Sequence, residues 1–318
     1  VLGDEASHRG LRADARGAGP APPRLPTGLE GASQGARPAP TPTPAKTRSW
    51  LFAPGDSARK MEKAAGGPAD IVILDLEDAV ATANKPEARR MVAEFLRANE
   101  RDRARLWVRI NPLDGDWTRE DLDAVMPARP GGIVLPKAEG RHHVEQLDAL
   151  LSEREQAKDI EPGSTPVMAL VTETAAAMFT TGEYRGAPRL TGMSWGAEDL
   201  SDSLGAADSM NEDGSYRPVF ELARSLCLLG AAAAGVTPIE TIMGDFRDLD
   251  GLEKRARMVK RDGYRGMLAI HPAQVEVINR AFAPSEEEIA EAREIVQLFA
   301  DNPGTGTIGW RKGMLDRP

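Results

Sequence analysis

From Arg48 onward the chain alternates short apolar or β-branched runs with longer amphipathic segments, and it does so eight times. This rhythm is the signature of repeated βα units and leaves few folds open. The strand candidates are 48–53, 70–76, 105–110, 131–136, 166–172, 190–195, 236–240 and 265–270. Helical patterns fall at about 56–66, 85–99, 118–127, 140–157, 174–181, 217–234, 251–263 and 272–281. Two architectures share this alternation, an open doubly wound sheet and a closed (β/α)8 TIM barrel. The placement of polar residues favours the barrel. Asp75, Glu77 and Asp78 follow the second strand, Arg109 and Asn111 the third, Lys137 the fourth, Glu173 the fifth, Asp199 the sixth, Glu240 the seventh and His271 the eighth. In a barrel all of these converge on one mouth, where catalytic groups sit, whereas in an open sheet half would lie far apart.

The barrel is expected to span 47–283. Before it, residues 1–46 are dominated by Gly, Ala, Arg and Pro, with the run Arg37 to Pro44, and read as a disordered leader. That segment has no secretory apolar region, and Asp4, Glu5, Asp14 and Glu30 do not suit an acid-poor transit peptide. After the barrel, Ser285 and Glu288 make a capping box for a helix running to about Ala300. A glycine-rich loop, 302–306, then leads to the tail 307–318, so 284–318 is expected to form an additional C-terminal helix and a lid-like arm.

Composition narrows the partners. A net charge of −9 and a pI near 5.2 argue against nucleic acid or an anionic membrane surface. No apolar stretch has the length of a membrane span. The single cysteine, Cys227, excludes an internal disulfide and suits a reducing, cytoplasmic compartment. His8, His142, His143 and His271 show no zinc-type spacing with it, so any metal site must rest on oxygen ligands.

Glu173 in Val-Thr-Glu-Thr (171–174) and Asp199 in Ser-Trp-Gly-Ala-Glu-Asp-Leu (194–200) each follow a short apolar run on neighbouring strands. Each alone reads equally as a helix cap or the partner of a structural arginine. Together they form a candidate pair for a hard divalent ion such as Mg²⁺, which takes one or two carboxylates and leaves positions for substrate. Glu198, extended beside Asp199, would point the other way. Arg109, central in an apolar strand, needs an anion, either the Asp75 to Asp78 cluster or a bound ligand. Arg59, Lys60 and Lys63 share one helix face, which either is solvated or grips the phosphates of an elongated ligand.

With these residues on the page, the chain resembles the HpcH/HpaI aldolase and citrate lyase beta-subunit family, and within it the citramalyl-CoA/malyl-CoA lyase-like branch. The resemblance covers about 47–318 and rests on RSWLFAPG (48–55), DIVILDLEDAV (70–80), VRIN (108–111), GIVLPK (132–137), the ET pair (173–174), GAEDL (196–200), AIHPAQ (269–274) and GMLDRP (313–318). It implies a TIM barrel with a C-terminal segment, with Glu173 and Asp199 as ligands of Mg²⁺, for which Mn²⁺ can substitute. It implies that Arg109 contacts the substrate at the reacting centre and that Phe52, Arg59, Lys63, Ile270 and His271 contact coenzyme A. Asp316 matches an acid/base that reaches into a neighbouring subunit's site in a trimer or hexamer. Trp310-Arg311-Lys312 departs from the smaller or neutral stretch common before the Met.

The expected activity is reversible cleavage of a 3-hydroxy-3-carboxy-acyl-CoA, such as citramalyl-CoA or malyl-CoA, to acetyl-CoA and a 2-oxo acid. Alternatives are a citrate lyase beta subunit acting on a citryl-acyl-carrier protein, a malyl-CoA thioesterase, and a non-catalytic CoA-binding or assembly protein. The choice between glyoxylate and pyruvate turns on room for one methyl group, worth about 1–3 kcal/mol.

Overall fold

The computed structural model describes residues 47–311 and 313–316; the leader expected over 1–46 lies outside the described residues. Eight strands, β1 (Ser49–Pro54), β2 (Ile71–Asp75), β3 (Leu106–Arg109), β4 (Gly132–Leu135), β5 (Val167–Leu170), β6 (Leu190–Ser194), β7 (Thr237–Glu240) and β8 (Gly266–Ala269), pair in chain order into a closed barrel. Closure is made by parallel pairing of β1 with β8, Trp50 opposite Leu268. The open-sheet alternative is thereby overturned.

These strands read as nearly unbroken apolar runs because both faces are buried. One alternating set, including Trp50, Ile73, Trp107, Val134, Met168 and Leu268, forms its own cluster and fills the barrel. The other set, including Leu51, Leu74, Val108, Leu135 and Ala169, joins the surrounding helices in a larger core. Inside the barrel the Trp50 and Trp107 rings meet edge to face, centroids 4.9 Å apart. Gly132 makes room for them, since a Cβ there would lie 2.6 Å from the Trp107 ring.

The helices are α1 (Ala58–Ala65), α2 (Lys85–Ala98), α3 (Thr118–Val125), α4 (Arg141–Ala157), α5 (Ala197–Leu204), α6 (Pro218–Ala234), α7 (Leu249–Asp262), α8 (Pro272–Phe282) and α9 (Glu286–Asp301). The helix expected over 174–181 is absent; only a 3₁₀ turn, Ala177–Phe179, forms there. Thr174 explains this, because its hydroxyl donates to Glu139 at 2.6 Å and accepts from the Ala177 N–H at 3.2 Å, closing a side-chain-capped turn. A short helix, α5, for which the sequence pattern named no segment, follows β6.

At the C-terminus, Ser285 and Glu288 form the expected capping box on α9. Beyond it the tail is an antiparallel hairpin of β9 (Thr307–Trp310) and β10 (Gly313–Asp316).

Candidate active site

Asp75, the last residue of β2, is fully buried and saturated with donors. It accepts from the backbone N–H groups of Glu77 (3.0 Å) and Ala79 (3.1 Å) and from Arg109 Nε (2.7 Å) and Nη2 (2.6 Å). Burial works against its charge, but the Arg109 guanidinium outweighs that and holds its pKa below the usual carboxylate value. Arg109, at the end of β3, is thus clamped bidentately. Its Nη1 stands 2.8 Å from Glu77 Oε2 and 3.5 Å from Asp78 Oδ2, and its guanidinium lies 4.8 Å from the centroid of Phe52 on β1. The fold carboxylates and the mouth therefore share one arginine, so both readings of Arg109 hold in part.

The loops after β2 and β3 are locked beneath this cluster. Lys85, on α2, donates to the carbonyls of Leu76 (2.9 Å) and Glu77 (3.0 Å) and to Asn111 Oδ1 (2.6 Å). Asn111 in turn donates its backbone N–H (2.8 Å) and Nδ2 (2.7 Å) to Asp121, which Arg89 holds from the other side at 2.6 Å.

Lys137, two residues past β4, connects the remaining acids. Its backbone is in the left-handed region (φ 48°), a conformation that is strained for a residue with a side chain. That turn aims its N–H at Glu173 Oε2 (2.6 Å), while Nζ reaches Glu77 Oε1 (2.7 Å) and Asp199 Oδ1 (3.0 Å). Burial alone would lower the pKa of this ammonium, but attraction by Glu77 and its contacts with Glu77 and Asp199 raise it instead.

Glu173 is buried at the end of the β5 segment. Burial first, then repulsion by Glu77 and Asp199, raises its pKa despite Arg109 and the Lys137 N–H. Glu77 is raised by burial as well, Arg109 and Lys137 offsetting only part. Asp199 lies in the first turn of α5 together with Glu198. The extended geometry expected for Glu198 and Asp199 is corrected: both are helical, at the end where the macrodipole favours negative charge. Gly196, ahead of α5, is where this loop passes Glu173; a Cβ there would sit 2.9 Å from Glu173 Cγ and 3.0 Å from Oε1.

Five carboxylates, Asp75, Glu77, Asp78, Glu173 and Asp199, gather round two cations, Arg109 and Lys137, in this mouth. Acidic groups outnumber basic ones, and every acidic donor is an oxygen. Among the described residues no three His, Cys, Asp or Glu side chains form an all-protein metal cage. A divalent ion at Glu173 and Asp199 would therefore complete its coordination with water or substrate oxygens, the habit of Mg²⁺. The residues fit such a group.

Arg59 and Lys63 are exposed on α1, and Ile270, just past β8, is exposed as well. His271 caps α8, its Nδ1 accepting from the Ala273 N–H at 3.2 Å, and stacks on Phe246 with centroids 4.7 Å apart. Asp316 sits exposed on β10, paired with Thr307; the ion-pair network of the mouth is built from residues 75–199 without it. The roles of Glu77, Lys137 and Gly196 escaped the sequence reading. The signal available was only that a polar or charged residue follows nearly every apolar strand, which says nothing of which charges meet.

Comparison with known proteins agrees with this geometry. The family model described as HpcH/HpaI aldolase/citrate lyase matches residues 48–272. A citrate lyase subunit beta-like protein of Mycobacterium tuberculosis is 37% identical over 269 residues, covering 85% of this chain and 90% of its own. A (3S)-malyl-CoA thioesterase of Cereibacter sphaeroides is 36% identical over 264 residues, covering 81% of this chain and 86% of its own. The crystal structure of the protein CitE from Mycobacterium tuberculosis, in complex with magnesium, acetoacetate and coenzyme A, matches with a TM-score of 0.71 at 36% identity, over 86% of this chain and 94% of that one. The barrel, its charged mouth and these relatives together establish that the chain is an enzyme of the HpcH/HpaI aldolase/citrate lyase family, a family of lyases.

Proposed function

We propose that this enzyme cleaves, reversibly, a 3-hydroxy-3-carboxy-acyl-CoA such as citramalyl-CoA or malyl-CoA to acetyl-CoA and a 2-oxo acid. The observation that carries the reading is the meeting, in one mouth, of a guanidinium held in place by Asp75, that of Arg109, with the carboxylates Glu173 and Asp199, which Lys137 links. A divalent ion held by Glu173 and Asp199, Mg²⁺ or Mn²⁺ in its place, would supply Lewis-acid polarisation at the oxygens of the acid end.

The chain's own residues account for the other end. Arg109, fixed by Asp75, donates to the thioester oxygen and offsets the negative charge that develops as the carbon–carbon bond breaks. As the carbon–carbon bond breaks, the hydroxyl proton is lost to solvent and the bonding electrons pass to the acetyl carbon as an enolate. Asp316, brought by the hairpin of a neighbouring subunit in a trimer or hexamer, gives a proton to that carbon and removes it in the reverse direction. Phe52, Arg59, Lys63, Ile270 and His271 bind the coenzyme A arm, whose binding energy positions the reacting end. Among the described residues no helix is long and apolar enough to cross a membrane. The lone buried thiol Cys227 supports the cytoplasm as the proposed compartment.

A second reading, hydrolysis of malyl-CoA, is favoured by the similarity to the (3S)-malyl-CoA thioesterase. Incubating the purified protein with Mg²⁺ and malyl-CoA or citramalyl-CoA separates the two. Acetyl-CoA with free 2-oxo acid supports the lyase; free CoA with malate supports the thioesterase. A third outcome, turnover only of a citryl-acyl-carrier protein, identifies a citrate lyase beta subunit. Asp199→Ala is expected to abolish metal-dependent turnover, and undiminished activity in that variant refutes the metal assignment.

A further inference from the structure

Lys137 is the residue on which the acidic mouth is hung. Its backbone N–H holds Glu173 at 2.6 Å, and its ammonium spans Glu77 at 2.7 Å and Asp199 at 3.0 Å. These contacts require the left-handed backbone (φ 48°) that a lysine adopts only when its surroundings enforce it. The ammonium thus rests on a carboxylate oxygen of Asp199, one of the two acids assigned to the divalent ion. Two cations cannot share that oxygen at close range, because their repulsion in a half-buried site of intermediate dielectric is large.

We propose that Lys137 is an internal counter-ion that competes with the divalent cation for Asp199. In the absence of metal it keeps Asp199 and Glu77 drawn together and the mouth formed. When the ion enters, the ammonium withdraws from Asp199 and remains on Glu77, while the backbone N–H keeps Glu173 aimed at the ion. Lys137 is a positioning residue in this account. It tunes how tightly the metal binds before substrate arrives, and the inference rests on the metal assignment to Glu173 and Asp199 made above.

The test is titration calorimetry of the substrate-free protein with MgCl₂. Lys137→Met, which removes the competing charge, is expected to bind Mg²⁺ about tenfold more tightly or better. Lys137→Arg, which keeps the charge, is expected to bind no more tightly than the natural chain. Mg²⁺ should also raise the melting temperature of Lys137→Met more than that of the natural protein. Lys137→Gly serves if the Met variant does not fold, since glycine takes the left-handed backbone without strain and retains the N–H to Glu173. Equal or weaker Mg²⁺ binding in the Met and Gly variants, with native circular dichroism, overturns the inference. Asp199→Ala distinguishes this failure from failure of the metal assignment. If Mg²⁺ binding is lost in Asp199→Ala yet unchanged in Lys137→Met, the competition alone is refuted. Binding that survives Asp199→Ala, or is absent from every form, overturns the metal assignment and the competition with it.

Discussion

Arg109 is fixed on three sides before any ligand arrives, by Asp75 through two hydrogen bonds, by Glu77 across 2.8 Å and by the Phe52 ring. Lysine would keep the charge but lose the fork that grips both Asp75 oxygens. Arg109→Lys is accordingly expected to lower kcat by about 10²–10³ while the protein still folds, read by steady-state kinetics alongside circular dichroism. Glu240, expected at the mouth with the other residues that follow strands, faces away from the barrel interior, because its neighbour Ile239 on β7 faces inward, and it makes an independent prediction. Glu240, ending β7, is fully buried, and neither of its carboxylate oxygens has a hydrogen-bond partner. Burial pushes its pKa from 4.5 up to about 7, offset in part by the charges of Arg224 and Arg255. Below pH 4.5 the group is protonated in both native and unfolded chains and adds no pH dependence. Between 4.5 and 7 the unfolded chain releases its proton while the native state keeps it, so stability falls as pH rises, by about 3 kcal/mol, and levels off above. Glu240→Gln should remove this slope in denaturant unfolding measured at several pH values; a stability difference between the two proteins that does not vary with pH refutes the assignment.

At the level of elements, the loop between β6 and α5 sets the distance between the two candidate metal ligands. Gly196 has an extended backbone (φ −126°, ψ 123°) that alanine adopts freely, so its substitution tests space alone. Gly196→Ala places a methyl group 2.9 Å from Glu173 Cγ and must push that side chain out of its present position. The expected result is Mg²⁺ binding weakened about tenfold or more, with little change in helix content, since misplacing a ligand by a fraction of an ångström suffices. Unaltered Mg²⁺ affinity would show that Glu173 retreats without leaving the metal. The turn at 174–181 has the same logic. A regular helix there would draw Thr174 away from Glu139, whereas the capped turn ties the segment after Glu173 to the loop after β4.

At the level of the whole molecule, the barrel supplies every charged group of the proposed chemistry except Asp316, which the hairpin carries on its exposed strand. Asp316→Asn is expected to reduce turnover while thioester affinity changes little. If the hairpin serves a neighbouring subunit, an inactive Asp316→Asn chain co-expressed with an inactive Arg109→Ala chain regains activity, because some sites in the mixed oligomer combine an intact Arg109 with an intact Asp316. A mixture as inactive as its components would place both groups in one chain or remove Asp316 from the reaction.

By itself the sequence determined the barrel, the mouth and the cap on α9. Strands buried on both faces must be apolar throughout, helices covering them must carry an apolar stripe, and the charged residue after each strand must then stand at the open end. Ser285 and Glu288 speak for themselves because their contact spans three residues. The tertiary structure alone decided which charges meet. Lys137 finds Glu173 at 36 residues' separation and Glu77 at 60, through a left-handed backbone that no local pattern announces. It also decided that 174–181 is a turn, since Thr174 takes its partner from the loop after β4, and that Asp199 rides in the first turn of a helix whose preceding residue, Gly196, passes close to Glu173. Local periodicity reports what each segment buries; it carries no information on the pairing of polar groups brought together only when the barrel closes.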